Sequence, residues 1–171
     1  FDVDEIPTHG GSLRIYGKHA ESSPAQSANA TKVLNDEKEA GLCETETYTQ
    51  FQRTVQETKR ALLSFLIDAK NNGLSIVGYG AAAKGNTLLN YSGVREDFID
   101  YVVDKSPHKQ GHFLPGTHIP ICSPERVLET KPDYVMILPW NIQEEVIEQM
   151  GSIRAWGGRF VVPIPKVKVL D

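Results

Sequence analysis

The chain has 171 residues, with 18 Lys plus Arg against 22 Asp plus Glu and a formal net charge of −4. Its 40% hydrophobic and 23% charged content is ordinary globular usage and fits one domain with a short appendage. A net negative chain with no basic tract argues against a nucleic-acid partner, and no apolar run approaches the ~20 residues of a membrane span. Cys43 and Cys122 supply neither a disulfide scaffold nor a four-thiolate zinc site, so reduced thiols and a cytoplasmic location are expected. The chain opens on Phe1 without a charged-then-apolar leader, which predicts an excised domain rather than a secreted precursor.

Leu13, Ile15 and Tyr16 predict a short strand, and the small polar stretch from Ala20 to Ala28 predicts a linker. A weak apolar stripe predicts a helix over Ala30–Ala40, stopped at Gly41. Phe51, Val55, Leu62, Phe65, Leu66 and Ala69 recur at three- and four-residue spacing, so a long helix is expected over Tyr48–Asn71. Thr47 and Gln50 fit a capping box at its start, and Asn72-Gly73 fits a stop.

From Leu74 the rhythm becomes strand, helix, strand. Strands are predicted at Leu74–Val77, Phe98–Val103, Ile119–Cys122, Tyr134–Leu138 and Arg159–Val162. Ser123-Pro124 predicts a capped helix start. Asn141 predicts another, with Ile142, Val146 and Met150 on one face. The alternation predicts an α/β, Rossmann-like three-layer domain, with a mostly parallel sheet of about five strands preceded by a helical segment.

In such a sheet, ligands bind beyond the carboxyl ends of the strands. Gly78 and Gly80 permit a tight turn and close approach of a phosphate. The helix start that follows, through Lys84, Gly85 and Asn86, offers backbone N–H groups and a cation. A pyrophosphate is the expected guest, with a tight turn that binds nothing as the alternative. The pattern has Ala83 where a dinucleotide fold carries its third Gly or Ala, and Lys84 precedes Gly85, unlike a P-loop. Asp104 ends a strand, where an acidic residue meets a ribose hydroxyl or simply faces solvent. Lys105 follows it. Trp140 can stack on a base or sugar, and Asn141 can hydrogen-bond one or cap its helix. His108, His112, His118 and Cys122 lack a metal-ligand pattern and are expected to bind no metal. No nucleophile-elbow or other catalytic constellation is present.

Several stretches together resemble the C-terminal domain of sugar-nucleotide C-methyltransferases. They are Thr8-His9-Gly10-Gly11-Ser12-Leu13-Arg14, Gly78 to Asn90, Asp100 to Gly111, Leu114 to Ile121, Pro132 to Val135, Leu138 to Asn141 and Trp156 to Phe160. The resemblance runs in order along essentially the whole chain. It implies that residues 1–28 are the strand and linker from the junction with a methyl-donor domain. Residues 29–171 are then the Rossmann-like C-terminal domain with its leading helices. Enzymes of this family transfer a methyl group from S-adenosylmethionine to a carbon of a nucleotide-linked keto-sugar. The resemblance places that donor in an upstream domain and a zinc ion in a cysteine-rich N-terminal module. Neither is expected in this segment, and no catalytic residue is carried over. The expected role is nucleotide-sugar binding by Gly78, Gly80, Lys84, Gly85, Asn86, Asp104, Lys105, Trp140 and Asn141, without turnover by the segment alone. The alternatives are an NAD(P)-binding oxidoreductase module, a nucleotide- or CoA-binding regulatory module, and a structural lid on the donor domain.

Overall fold

In the computed structural model residues 1–170 are described, and they form two compact units, Phe1–Thr54 and a second beginning at Val55. In the first unit, strands β1 (Asp2–Ile6) and β2 (Ser12–Tyr16) make an antiparallel ribbon, with Val3 opposite Ile15 and Asp4 opposite Arg14. β1 escapes sequence prediction because Asp disfavours strands. Here Asp4 is tolerated because its Oδ2 accepts the Tyr16 hydroxyl at 2.6 Å. Helix α1 (Ala28–Glu39) is capped by Ser27, whose Oγ accepts the Ala30 N–H at 3.1 Å.

Helix α2 (Thr45–Asn71) begins earlier than the expected Tyr48. The turn after Gly41 closes through the Glu44 N–H to the Gly41 carbonyl, and the Thr47 N–H reaches the Glu44 carbonyl. Thr47 is therefore already helical, and the expected Thr47–Gln50 capping box does not form. Gln50 Nε2 instead donates to Glu46 Oε1 at 3.0 Å. Phe51, predicted on the buried stripe, is exposed, whereas Leu62, Leu66 and Ala69 are buried.

The second unit is built on a six-stranded sheet. Its strands are β3 (Ile76–Tyr79), β4 (Val102–Val103), β5 (Ile121–Cys122), β6 (Tyr134–Ile137), β7 (Arg159–Val162) and β8 (Lys168–Leu170). The spatial order is β5-β4-β3-β6-β7-β8, parallel throughout except for the β7–β8 pair. This is the α/β, Rossmann-like three-layer architecture expected from the sequence, with an added antiparallel edge. Helices α3 (Ala83–Ser92), α4 (Glu125–Thr130) and α5 (Gln143–Gln149) complete the layers.

The period of two is visible in the core. Ile76, Val102, Tyr134, Met136, Leu138 and Val161 pack with Leu62 and Leu66 of α2 and Leu88 and Leu89 of α3. Their neighbours Val77, Val103, Val135, Ile137, Phe160 and Val162 pack with Val127 of α4 and Val146 of α5. Each strand thus feeds both faces, as a parallel sheet covered on both sides requires.

Several predicted boundaries shift. β3 lies two residues later than predicted, so Gly78 and Tyr79 are strand rather than turn. The predicted Phe98–Val103 strand is reduced to β4. The Phe98 and Ile99 amides go to the Arg95 carbonyl in a turn, and Ile99 is apolar because it is core. Ser123 makes no side-chain cap for α4; Pro124 takes the cap position, and the Arg126 N–H bonds the Ser123 carbonyl. Asn141 does not cap α5: it lies within a 3-10 turn, Trp140–Ile142, and Ile142 precedes α5.

Candidate functional site

The carboxyl ends of β3, β4 and β6 open on one side of the second unit. A cleft of about 230 Å3 lies there, its wall formed by Tyr79, Gly80, Asp104, Lys105, Pro139 and Glu145 among others. Three of the nine predicted site residues, Gly80, Asp104 and Lys105, line it. Lys84, Gly85 and Asn86 lie on the first turn of α3. Trp140 and Asn141 lie in the 3-10 turn; Trp140 packs against both halves of the core, and Asn141 is exposed. The cleft's contacts with that segment are Pro139 and Ile142 instead.

The glycines have reasons internal to the fold. A Cβ on Gly78 would stand 2.7 Å from Val102 Cγ2 and 3.2 Å from Leu138 Cδ1. On Gly85 it would stand 2.5 Å from Leu138 Cβ. Leu138 therefore fills the space left by a bare strand residue and a bare helix residue. Close helix–sheet packing, the task of the third glycine in a dinucleotide fingerprint, falls to Gly85 rather than to Ala83. Gly80 has φ +90°, and its Cβ would meet Pro139 Cδ at 2.6 Å, so both backbone conformation and space demand glycine.

The hydrogen-bond ladder of α3 begins with the Asn86 N–H to the Ala82 carbonyl at 2.9 Å. The amides ahead of it stand outside the ladder and point from the helix N-terminus, where a partial positive charge accumulates. Lys84 is exposed on this turn.

Asp104, in the cleft wall, is already bonded through both carboxylate oxygens. Its Oδ2 accepts the Ala81 N–H at 2.8 Å and Lys109 Nζ at 3.0 Å, while its Oδ1 accepts the Ser106 N–H at 2.9 Å. Lys109 Nζ also donates to the Ala81 carbonyl at 3.0 Å, and Gln110 Nε2 donates to the Asp104 carbonyl at 2.9 Å. The side chain is 13% exposed. Burial alone would raise its pKa, but the Ser106 amide, Lys109 and the Ala81 amide outweigh burial and hold it below the ordinary carboxylate range. Asp104 thus ties the turn after β3 to the loop after β4.

Sequence reasoning missed Lys109, Glu145 and Tyr79 as wall or support residues. Lys109 lies in the Pro-x-Lys-x-Gly turn Pro107–Gly111, a pattern legible in the sequence beside the strand-end Asp104, and the structure adds that its Nζ reaches Asp104 Oδ2 at 3.0 Å. Glu145 belongs to the same α5 side as Ile142 and Val146, and their helical spacing was a usable signal. Tyr79 donates its hydroxyl to Gln149 Oε1 at 2.7 Å. Burial raises its pKa most; the Gln149 bond opposes this, and the charges of Asp104 and Glu145 add to it. The tyrosine therefore stays a neutral phenol.

His108, His112 and His118 are exposed, and Cys122 is half-buried. Among the described residues no three His, Cys, Asp or Glu side chains group to hold a metal ion. Leu138 stands against Gly78 and Gly85, and Pro139 against Gly80. No helix among these residues is long and apolar enough to cross a membrane.

A family described as the C-methyltransferase C-terminal domain matches residues 7–165. The C-methyltransferase NovU of Streptomyces niveus is 32% identical over 170 residues, which is 99% of this chain and 40% of that relative. The chain thus spans well under half the length of the curated relative it matches.

Proposed function

Because this chain belongs to the C-methyltransferase C-terminal domain family, we propose that it is the nucleotide-sugar-holding part of an S-adenosylmethionine-dependent enzyme that methylates a carbon of a nucleotide-linked keto-sugar. The methyl donor, the zinc module and the groups that move protons belong to an upstream part of the same polypeptide. The observation that carries the proposal is the strand-end cleft beside the N-terminus of α3. Its chemistry divides in two. The N-terminal amides of α3, with Lys84 and Lys105 nearby in the fold, suit a diphosphate. The wall at Glu145 suits hydroxyl groups, which a carboxylate accepts well. Asp104 serves in this proposal by shaping the turn, because its carboxylate is already committed to Ala81, Ser106 and Lys109.

A second reading has a specific observation behind it. The glycines of the turn are explained by Val102, Leu138 and Pro139 alone, which also suits a domain that supports its neighbour without binding ligand. Calorimetry with thymidine or uridine diphosphate separates the two. Binding that weakens about tenfold or more in Lys84→Ala, the loss of one charge-assisted contact, supports the first reading. Binding of equal strength in the variant removes Lys84 from the site. No heat at all favours the supporting role. Tighter binding of NADH than of either diphosphate would point to a dinucleotide module.

A further inference from the structure

The turn after β3 has the outline of a dinucleotide cradle but not its open groups. In such a cradle the amides of the glycine turn face a pyrophosphate, and the carboxylate that ends the next strand accepts ribose hydroxyls. Here the Gly80 N–H donates to the Val103 carbonyl at 2.7 Å, and the Ala82 N–H to the Gly80 carbonyl at 2.8 Å. The Ala81 N–H between them goes to Asp104 Oδ2 at 2.8 Å. Lys109 reaches the same oxygen, and its Nζ spans Asp104 Oδ2 and the Ala81 carbonyl, each at 3.0 Å. The ammonium therefore sits on the carboxylate where ribose hydroxyls would bond, and ties it to the turn. Gln110 fixes the same loop by donating to the Asp104 carbonyl at 2.9 Å.

We infer that Lys109 is a specificity-determining residue: seated on Asp104, it bars the adenosine ribose of a nicotinamide dinucleotide and confines the cleft to a ligand with a diphosphate beside a hydroxylated ring. This rests on the proposal that the cleft holds a nucleotide-sugar, and adds which nucleotides it refuses. An unpaired carboxylate beside the turn would repel a diphosphate, and the Lys109 charge cancels it. The amides left for the diphosphate belong to the first turn of α3, ahead of the Asn86 N–H that opens the helix ladder. Lys105 and Glu145, both exposed, add a cation and a carboxylate to the cleft, and Pro139, Ile142 and Val146 add an apolar surface. The space, about 230 Å3, falls below the roughly 300–1,000 Å3 of sites that enclose a whole ligand, so it encloses one ring. Lys109 is itself 45% exposed, so its removal uncovers the carboxylate without emptying a core position.

Fluorescence titration with NADH tests this in the full-length protein, saturated with S-adenosylhomocysteine so that a donor site elsewhere in the polypeptide cannot take the adenosine. The parent and Lys109→Arg are expected to bind NADH equally poorly. Lys109→Met should bind it about tenfold or more tighter, the gain of one hydrogen bond to a charged group. A cooperatively melting Lys109→Met protein that binds NADH no better than the parent overturns the inference. So does a parent that binds NADH more tightly than UDP, a result that needs no variant to fold. The gain must also need the carboxylate. Adding Asp104→Asn to Lys109→Met returns the affinity to the parent's if Asp104 receives the ribose. A gain that survives the second change comes from a loosened turn and overturns the inference as well. Calorimetry with UDP on the parent keeps the two claims apart. Absence of UDP binding removes the nucleotide-sugar proposal, and the NADH comparison between parent and variants still decides the role of Lys109.

Discussion

Replacing Asp104 by Asn tests the role of its carboxylate while preserving side-chain shape. The carboxylate takes two backbone amides and one ammonium, at 2.8, 2.9 and 3.0 Å. An asparagine has only one oxygen, so either Ala81 or Ser106 faces an amide NH2 and loses its acceptor. One lost bond to a charged group is worth ~1.5–3 kcal/mol. The Lys109 pair adds less, since Lys109 is 45% exposed and screened by solvent. A destabilisation of about 2–3 kcal/mol follows, or roughly 4–12 °C in Tm for a chain of this size. Urea denaturation at neutral pH measures it. The pH dependence supplies a second check. The carboxyl is held below its ordinary value in the folded protein, so its contribution is complete above the unfolded pKa of about 3.9 and fades as pH falls through the lower folded value. The gap between the two proteins must therefore narrow on acidification below about pH 4. A variant within about 0.5 kcal/mol of the parent at pH 7, the scatter of ordinary surface changes, would refute the clamp.

Gly85→Ala should destabilise by about 1–3 kcal/mol, although Ala in place of Gly ordinarily favours a helix, because the new methyl would stand 2.5 Å from Leu138 Cβ. The double variant with Leu138→Gly, which removes that Cβ, should be less unstable than the two single effects added, which denaturant titration of all four proteins measures. Phe160→Ala, at a fully buried position of β7, should cost about 3–5 kcal/mol by the same titration. Asp133 accepts the Ser75 N–H and hydroxyl through Oδ2, each at 2.8 Å, and these bonds lower its pKa. Its contribution should likewise be present above the unfolded carboxylate range and be lost on acidification. Asp133→Asn should therefore show a shallower stability loss between neutral pH and pH 3 in thermal melts.

Periodicity and punctuation were enough to determine the architecture. Short apolar runs that alternate with helical stripes dictate a parallel sheet covered on both faces, because no other arrangement buries both sides of strands such as Tyr134-Val135-Met136-Ile137. The loops at the strand ends followed from that topology, and so did the neighbourhood of Gly80, Asp104 and Lys105. Tertiary structure decided what the local residues do there. Gly78 and Gly85 are bare because Leu138, more than fifty positions away in sequence, packs into the space they leave. Asp104 meets Lys109 and the Ala81 amide because separate loops fold back over the same sheet edge. Asn141 leaves the helix-cap role because the Trp140 ring beside it is drawn into the core, winding the chain into a 3-10 turn. Hydrophobic period is a local property and survives in one dimension. Which carboxylate meets which amide depends on contacts between distant segments, and those exist only once the sheet has formed.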